Sequence, residues 1–339
     1  MPAPPVLAWV LRGDRVESVH RGSAAVVDED GRLLASVGDP AAEIYLRSTA
    51  KPFQAMTLLE VGGDRAFQLG TDEVALMCAS HGGEPRHVAV ARRILARGGF
   101  DASDLACGAH PPMNEASARR LLVSGKKPTA LHNNCSGKHA GLLLACRARG
   151  LDASGYWKPE HPIQRITMGH VARYCGAAPA GVVTAVDGCS LPVALLPLRC
   201  LAHAYARLLS RSAAEGSDGA MRERIRRAFW DSPGMVAGRG RFTTDFLEAG
   251  AGIWIGKEGA EGVYAVGLSG GRRGGAVGIA FKIEDGSIRA RDAVCLDLMR
   301  RMKRLPREAR SRLAKYVSPA VANARGLVVG RIVAEAPLK

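Results

Sequence analysis

The stretch Arg47-Ser48-Thr49-Ala50-Lys51-Pro52 stands at the head of an apolar segment, residues 53–61, and marks a change of pattern along the chain. Ahead of it, residues 6–11 and 15–20 read as strands, and 23–27 and 32–37 flank the turn Asp28-Glu29-Asp30-Gly31 as a hairpin. Behind it, helical spacing takes over at 51–61, 72–79, 85–97, 114–122, 138–149 and 161–174, and again at 192–209, 220–230 and 241–249. A short buried-strand pattern at 182–186 interrupts these helices, and residues 211–219 read as a polar loop. Strand patterns return at 252–255, 262–266, 274–283 and 327–333, with helical segments at 292–303 and 306–316. Strands at both ends and helices between them predict an α/β fold: one mainly antiparallel sheet from the N- and C-terminal strands, flanked by a large helical region. The expected organisation is a single protomer with a sheet part of about 1–45 and 250–339 and a helical insert of about 46–249.

The same stretch carries chemistry. On a helix, Ser48 and Lys51 share a face, so a hydroxyl and an amine come within reach of one another. A neutral amine can take the hydroxyl proton and make a nucleophile, and the helix N-terminus favours a developing anion. Pro52 is tolerated because first-turn N–H groups lack intrahelical partners. A second copy of the spacing, Ser124-Gly125-Lys126-Lys127, lies in a polar loop and reads as a loop.

Composition excludes several classes. With 47% hydrophobic and 23% charged residues, the chain reads as an ordinary soluble globular protein. No apolar run approaches the roughly 20 residues needed to span a bilayer. Met1-Pro2-Ala3-Pro4-Pro5 lacks a basic region followed by a long apolar one, so no secretory signal is expected. Eight scattered cysteines point to a reducing, cytoplasmic setting with free thiols or a metal site. The net charge of +15 raises nucleic acid as a partner, but only 5% of the residues are aromatic. The basic runs at 222–227 and 300–315 alternate with apolar residues as solvated helix faces do, and no stacking platform interleaves with them. Neither nucleic acid nor membrane is therefore expected as a partner. Of the 47 basic residues only 10 are lysine, so generic surface charge is carried by arginine and each lysine draws attention. Lysine, unlike arginine, can lose its proton near neutrality.

Three further segments concentrate reactive side chains. His132-Asn133-Asn134-Cys135-Ser136-Gly137-Lys138-His139-Ala140-Gly141 places thiol, amine and imidazole at a loop-to-helix junction, with Ser136 as a possible N-cap. Val186-Asp187-Gly188-Cys189-Ser190-Leu191-Pro192 turns out of a strand end. Cys135 and Cys189 could supply two soft ligands to zinc, with His139 or a deprotonated Lys138 as the third. Ala79-Ser80-His81-Gly82-Gly83 ends an expected helix, where Ser80 could be a capping residue, and Ile255-Gly256-Lys257-Glu258-Gly259 ends an expected strand.

Together with Leu46–Pro52, these segments resemble the Rhizobium etli-type (class 3) L-asparaginases over roughly residues 6–333. The resemblance implies a fold like that of serine β-lactamases and Ser-x-x-Lys glutaminases, a homodimer, and hydrolysis of L-asparagine to aspartate and ammonia. It implies Ser48 and Lys51 as nucleophile and base, and Ser80 as a second catalytic serine working with a lysine from the C-terminal strands, for which Lys257 is the candidate. Cys135, Lys138 and Cys189 match zinc-holding positions, the zinc organising the substrate site rather than activating water. Arg47, His139 and Asp187 match residues near the substrate. The β-lactamase Ser-Asp-Asn and Lys-Thr-Gly signatures are absent. The alternatives are a related glutaminase or amidohydrolase of the same fold, and a zinc-binding protein without catalysis.

Overall fold

A computed structural model describes residues 3–211, 217–270 and 275–339. Most of the polar loop expected at 211–219 lies outside the described residues, as does Gly274 at the head of one expected strand. The strands are β1 (Val6–Arg12), β2 (Arg15–Asp28), β3 (Leu33–Val37), β4 (Glu43–Tyr45), β5 (Val183–Val186), β6 (Pro192–Pro197), β7 (Trp254–Glu258), β8 (Val263–Leu268), β9 (Val277–Ile283), β10 (Ala320–Ala322) and β11 (Val328–Ala334). The chain divides into two compact units, Met1–Thr49 with Leu196–Ser210 and Glu248–Lys339, and Ala50–Leu195 with Arg211–Leu247.

The first unit is built on an eight-stranded sheet in the order β10-β11-β1-β2-β9-β8-β7, with β3 also on β2. Its strand pairs are antiparallel, as the strand patterns at the two ends of the sequence predict. The hairpin read at residues 28–31 is present: the Asp28 carboxylate accepts from the N–H groups of Asp30 and Arg32 and fixes the turn between β2 and β3. The helix Leu198–Leu209 packs on β2, β8 and β9. Two glycines let its backbone rest on the sheet. Gly267 and Gly278 are opposite one another in register. A Cβ on Gly278 would stand 1.7 Å from the Ala202 carbonyl oxygen, and one on Gly267 would stand 2.5 Å from that of Tyr205.

Helices make up most of the second unit. Lys51–Leu59 packs against Pro162–Cys175 and Ser136–Ala148, and the last of these also packs against Thr71–Met77 and Pro85–Arg97. Ser136–Ala148 is buried from Ser136 to Cys146, so it has no polar face and sits inside the unit. A Cβ on Gly137 would stand 2.3 Å from the Leu76 carbonyl oxygen, so the helix start presses directly on its neighbour.

Five local expectations are corrected. The segment expected as a helix at 192–209 begins as β6, paired antiparallel with β5, and becomes helical only at Leu198. Pro192 and Pro197 explain the break, since neither can donate to a helix and Pro197 takes the N-cap. The strand expected to be buried at 182–186 is an exposed hairpin arm, with Val183 58% and Val186 72% exposed. The helix before Ser80 stops at Met77, so Ser80 caps nothing, and Cys135 rather than Ser136 takes the N-cap position of the helix that follows it. The helix expected at 306–316 breaks into Arg307–Arg312 and Ala314–Val317. Among the described residues no helix is long and apolar enough to cross a membrane.

Candidate active site

Lys51 opens the helix Lys51–Leu59 and is buried, 1% exposed. Its Nζ lies against three oxygens: the Ala79 carbonyl, the Ser80 hydroxyl at 3.2 Å and the Asn134 carbonyl at 3.3 Å. Two of these can only accept. Of these three oxygens Ser80 alone can also donate, so a neutral amine here would hold two carbonyls with its N–H groups and receive the Ser80 proton on its lone pair, with the Cys135 sulfur as a further hydrogen-bond neighbour. Ser80 is held from both sides. Its N–H donates to the Val236 carbonyl at 3.0 Å, and its own carbonyl accepts from Arg241 at 2.8 Å. Beside it, His81 is fully buried. Desolvation, then the charges of His87 and Lys51, push His81 well below the ordinary imidazole range, so it is neutral. Its Nδ1 accepts from the Gly83 N–H, which leaves Nε2 to donate to Ser136 Oγ at 3.0 Å. Ser136 in turn donates to the Leu131 carbonyl at 3.1 Å. This relay ties the Ser80 segment to the loop that carries Cys135.

A second cluster in the same unit gathers sulfur, nitrogen and carboxylate. The β5–β6 hairpin turns through Asp187–Ser190, with Ser190 at φ 73°. The turn closes through the Asp187 N–H to the Leu191 carbonyl at 2.8 Å. It presents Cys189 to Lys138, whose Nζ lies 3.0 Å from the sulfur. The Asp187 carboxylate is 3.9 Å from the same sulfur. A hydrogen bond from Cys189 holds the Cys135 thiol well below its ordinary value against the opposing effect of burial, and the Lys51 and Lys138 charges add to it. The same bond, with burial, pushes Cys189 up. Burial alone would lower Lys138, but the two sulfurs outweigh it and raise the ammonium. His139 is fully buried, with Nδ1 on the Tyr156 hydroxyl at 2.6 Å and a hydrogen-bond contact to Cys189. Among the described residues no group of three His, Cys, Asp or Glu is placed to hold a metal, so a site here depends on the lysine.

The first unit holds the remaining residues. Arg47 has φ 50°, a left-handed conformation that turns the chain sharply ahead of Ser48, which is half-buried. The Thr49 carbonyl accepts from Tyr205 at 2.8 Å and pins this turn to the helix on the sheet. Lys257 lies within β7, is fully buried, and its Nζ donates to the Glu258 carbonyl at 2.9 Å. A Cβ on Gly259 would stand 3.3 Å from Thr49 and 3.4 Å from Arg47 side-chain carbons, so the end of β7 runs along the turn bearing Ser48.

The match to known proteins covers almost the whole chain: residues 8–334 match the L-asparaginase II family. The chain belongs to that family. No curated protein matches it. Among solved structures, two of Mglu in its native form, one of them at 4.3 M NaCl, are each 16% identical, with TM-scores of 0.35 and 0.36. They cover 84% of this chain, which spans 65% and 61% of theirs. A third, Mglu in its tris and glutamate form, is 16% identical with a TM-score of 0.36 and covers 88% of this chain. The chain thus spans less than two thirds of the length of each of these structures.

Several residues of the candidate site in this L-asparaginase II family member have no signal in the sequence. Tyr156 reaches His139 and accepts from the Ala106 N–H at 3.0 Å, yet it lies in a stretch without periodicity. Cys107, a third thiol at the cluster, is pushed up to about 12 by burial and by Cys189. Asn133 fixes its loop by donating to the Cys107 and Gly108 carbonyls and accepting from the Cys135 N–H. Only the density of polar residues at 132–141 could have drawn attention to it.

Proposed function

We propose that this chain is an amidohydrolase that cleaves the side-chain amide of L-asparagine to L-aspartate and ammonia through an acyl-serine intermediate. The observation that carries the proposal is the buried Lys51–Ser80 contact at 3.2 Å, in a member of the L-asparaginase II family. The amide carbon is attacked by a serine oxygen as the hydroxyl proton passes to a lysine amine. The tetrahedral intermediate then expels ammonia, which takes a proton as it leaves, and water cleaves the ester. Lys51 is the proton acceptor in this reading, with the Ser80 hydroxyl on its Nζ and two carbonyls orienting the amine. Ser48 and Lys257 keep the roles implied by resemblance, nucleophile and second base, and Arg47 and Asp187 those of substrate ligands. The complete burial of His139 favours support of the thiol cluster over contact with the substrate.

Zinc is part of the proposal. Cys135, Lys138 and Cys189 would hold it, and the lowered Cys135 thiol and the Lys138 Nζ 3.0 Å from the Cys189 sulfur support the fit. Lys138 would have to give up its proton to bind. The ion would fix the loop and the hairpin against one another at the substrate site. The eight cysteines are all free, which supports a reducing, cytoplasmic compartment. A homodimer belongs to the same reading.

Ammonia release from asparagine and from glutamine tests the function. The expected result is release from asparagine, lost in both Ser48→Ala and Ser80→Ala, with an acyl adduct on one serine caught by mass spectrometry of the quenched enzyme. A clear preference for glutamine would point to the related amidohydrolase. No release from either amide would overturn the proposal.

A further inference from the structure

A groove of about 700 Å³ on the second unit has no place in the chemistry above. Arg92 on the helix Pro85–Arg97, Arg120 on the helix Glu115–Val123, and Lys126 and Lys127 in the loop that follows all line it. No aspartate or glutamate lines it. Among the described residues, none of these four side chains makes an ion pair or hydrogen bond. On the same helix the other arginines are all engaged, Arg86 with Glu84, Arg93 with Asp72 and Glu73, and Arg97 with Glu73. The four unpaired charges therefore stand together where the rest of the helix is neutralised. Like charges gathered in one concave site repel each other and raise the local potential for an anion.

Two further features shape the ligand. His132 lines the groove, and its Nδ1 accepts the Thr129 N–H at 3.1 Å, so the neutral ring carries its proton on Nε2 as one more donor. Burial lowers His132, which favours that neutral form. The groove also has apolar lining in Pro85, Val88, Ala89 and Leu121. A bare inorganic ion would leave that lining uncovered, whereas a small molecule with an anionic head and a flat or hydrocarbon body would cover it.

We infer that this groove binds an organic phosphate, the phosphate held by Arg92, Arg120, Lys126 and Lys127 and the body lying on Val88 and Leu121. The Ser124-Gly125-Lys126-Lys127 copy, which reads as a loop in the sequence, is then the basic arm of a ligand site unconnected with nucleophilic chemistry.

Isothermal titration calorimetry of the full-length protein in 50 mM NaCl tests this, with adenosine monophosphate, adenosine and pyrophosphate as probes. The expected result is saturable one-to-one binding of adenosine monophosphate, weaker binding of pyrophosphate and none of adenosine, with affinity falling as salt is raised. Arg92→Glu and Lys126→Glu should each weaken adenosine monophosphate by about tenfold or more, the scale of a charged hydrogen bond. Both are exposed side chains, so melting temperature and asparagine turnover should be unchanged. Absence of saturable binding at millimolar probe would overturn the inference, as would unchanged affinity in both variants. Preferential binding of a duplex oligonucleotide, lost in the same variants, would replace it with a nucleic-acid surface.

Discussion

Replacing Lys51 by methionine is the most direct test of the Lys51–Ser80 contact. Methionine is close to lysine in length and fills the same buried channel, so the perturbation is mainly chemical. It removes the amine that lies 3.2 Å from Ser80 Oγ and leaves the Ala79 and Asn134 carbonyls without that donor. General-base catalysis contributes about 10²–10⁴ in rate, or roughly 3–5 kcal/mol of barrier. On that scale kcat for asparagine should fall by about 10²–10⁴. Each buried carbonyl left unpaired costs about 1–3 kcal/mol, but removing a buried polar amine returns part of that. The net loss of stability should stay under about 3 kcal/mol, and the protein should remain folded by circular dichroism. Lys51→Arg separates charge from basicity, since arginine keeps the cation and cannot accept a proton. It should be as inactive as Lys51→Met. Coupled-enzyme detection of ammonia gives kcat, and a denaturant series gives stability. A folded Lys51→Met protein with kcat within about tenfold of the parent would refute the assignment of Lys51 as proton acceptor.

Three other outcomes are expected. Gly278→Ala should lower stability by about 1–3 kcal/mol or more, because its Cβ would stand 1.7 Å from the Ala202 carbonyl oxygen and force the helix off the sheet; urea unfolding measures this, and an unchanged midpoint would contradict the close packing. Cys189→Ser should lower zinc measured by elemental analysis of the purified protein, and dialysis against a chelator should do the same to the parent; full metal content in Cys189→Ser would remove the proposed site. The last concerns pH. Burial works to raise the Asp285 carboxyl, but the Ser287 N–H and the His20 ring outweigh it and hold it below the ordinary carboxylate value. A depressed carboxyl adds stability that is present above its unfolded pKa and is lost as pH falls through the folded value. Asp285→Asn should therefore flatten the fall in melting temperature between about pH 5 and about pH 3, and an acid limb identical to the parent's would show that the contact contributes nothing.

How much of this was legible beforehand depends on whether a feature is local. The β2–β3 hairpin was readable because Asp28 and Gly31 make their turn from residues within four positions of each other. The sheet was readable because its strands alternate or run apolar near both chain ends, although their order was not: β2 pairs β9 across most of the sequence, and nothing in either strand names the other. The 192–209 error has a physical cause, since Val-Ala-Leu-Leu between two prolines suits a short strand as well as a helix, and hairpin pairing with β5 decides it. The candidate site divides in the same way. Cys135, Lys138 and His139 were visible as one crowded segment, and Cys189 as a turn residue, yet only the fold puts the Cys189 sulfur 3.0 Å from Lys138. Ser-x-x-Lys spacing suggested that Lys51 serves Ser48. In the fold Lys51 reaches a serine 29 positions away, because the segment after Met77 leaves its helix and is pinned by Val236 and Arg241 beside the amine. Spacing along a helix fixes which side chains share a face, but it does not name the partners that arrive from another segment. For a buried amine, which must find an acceptor for each N–H, those partners decide the geometry, and here two of its oxygen partners are backbone carbonyls that leave no trace in the side-chain sequence.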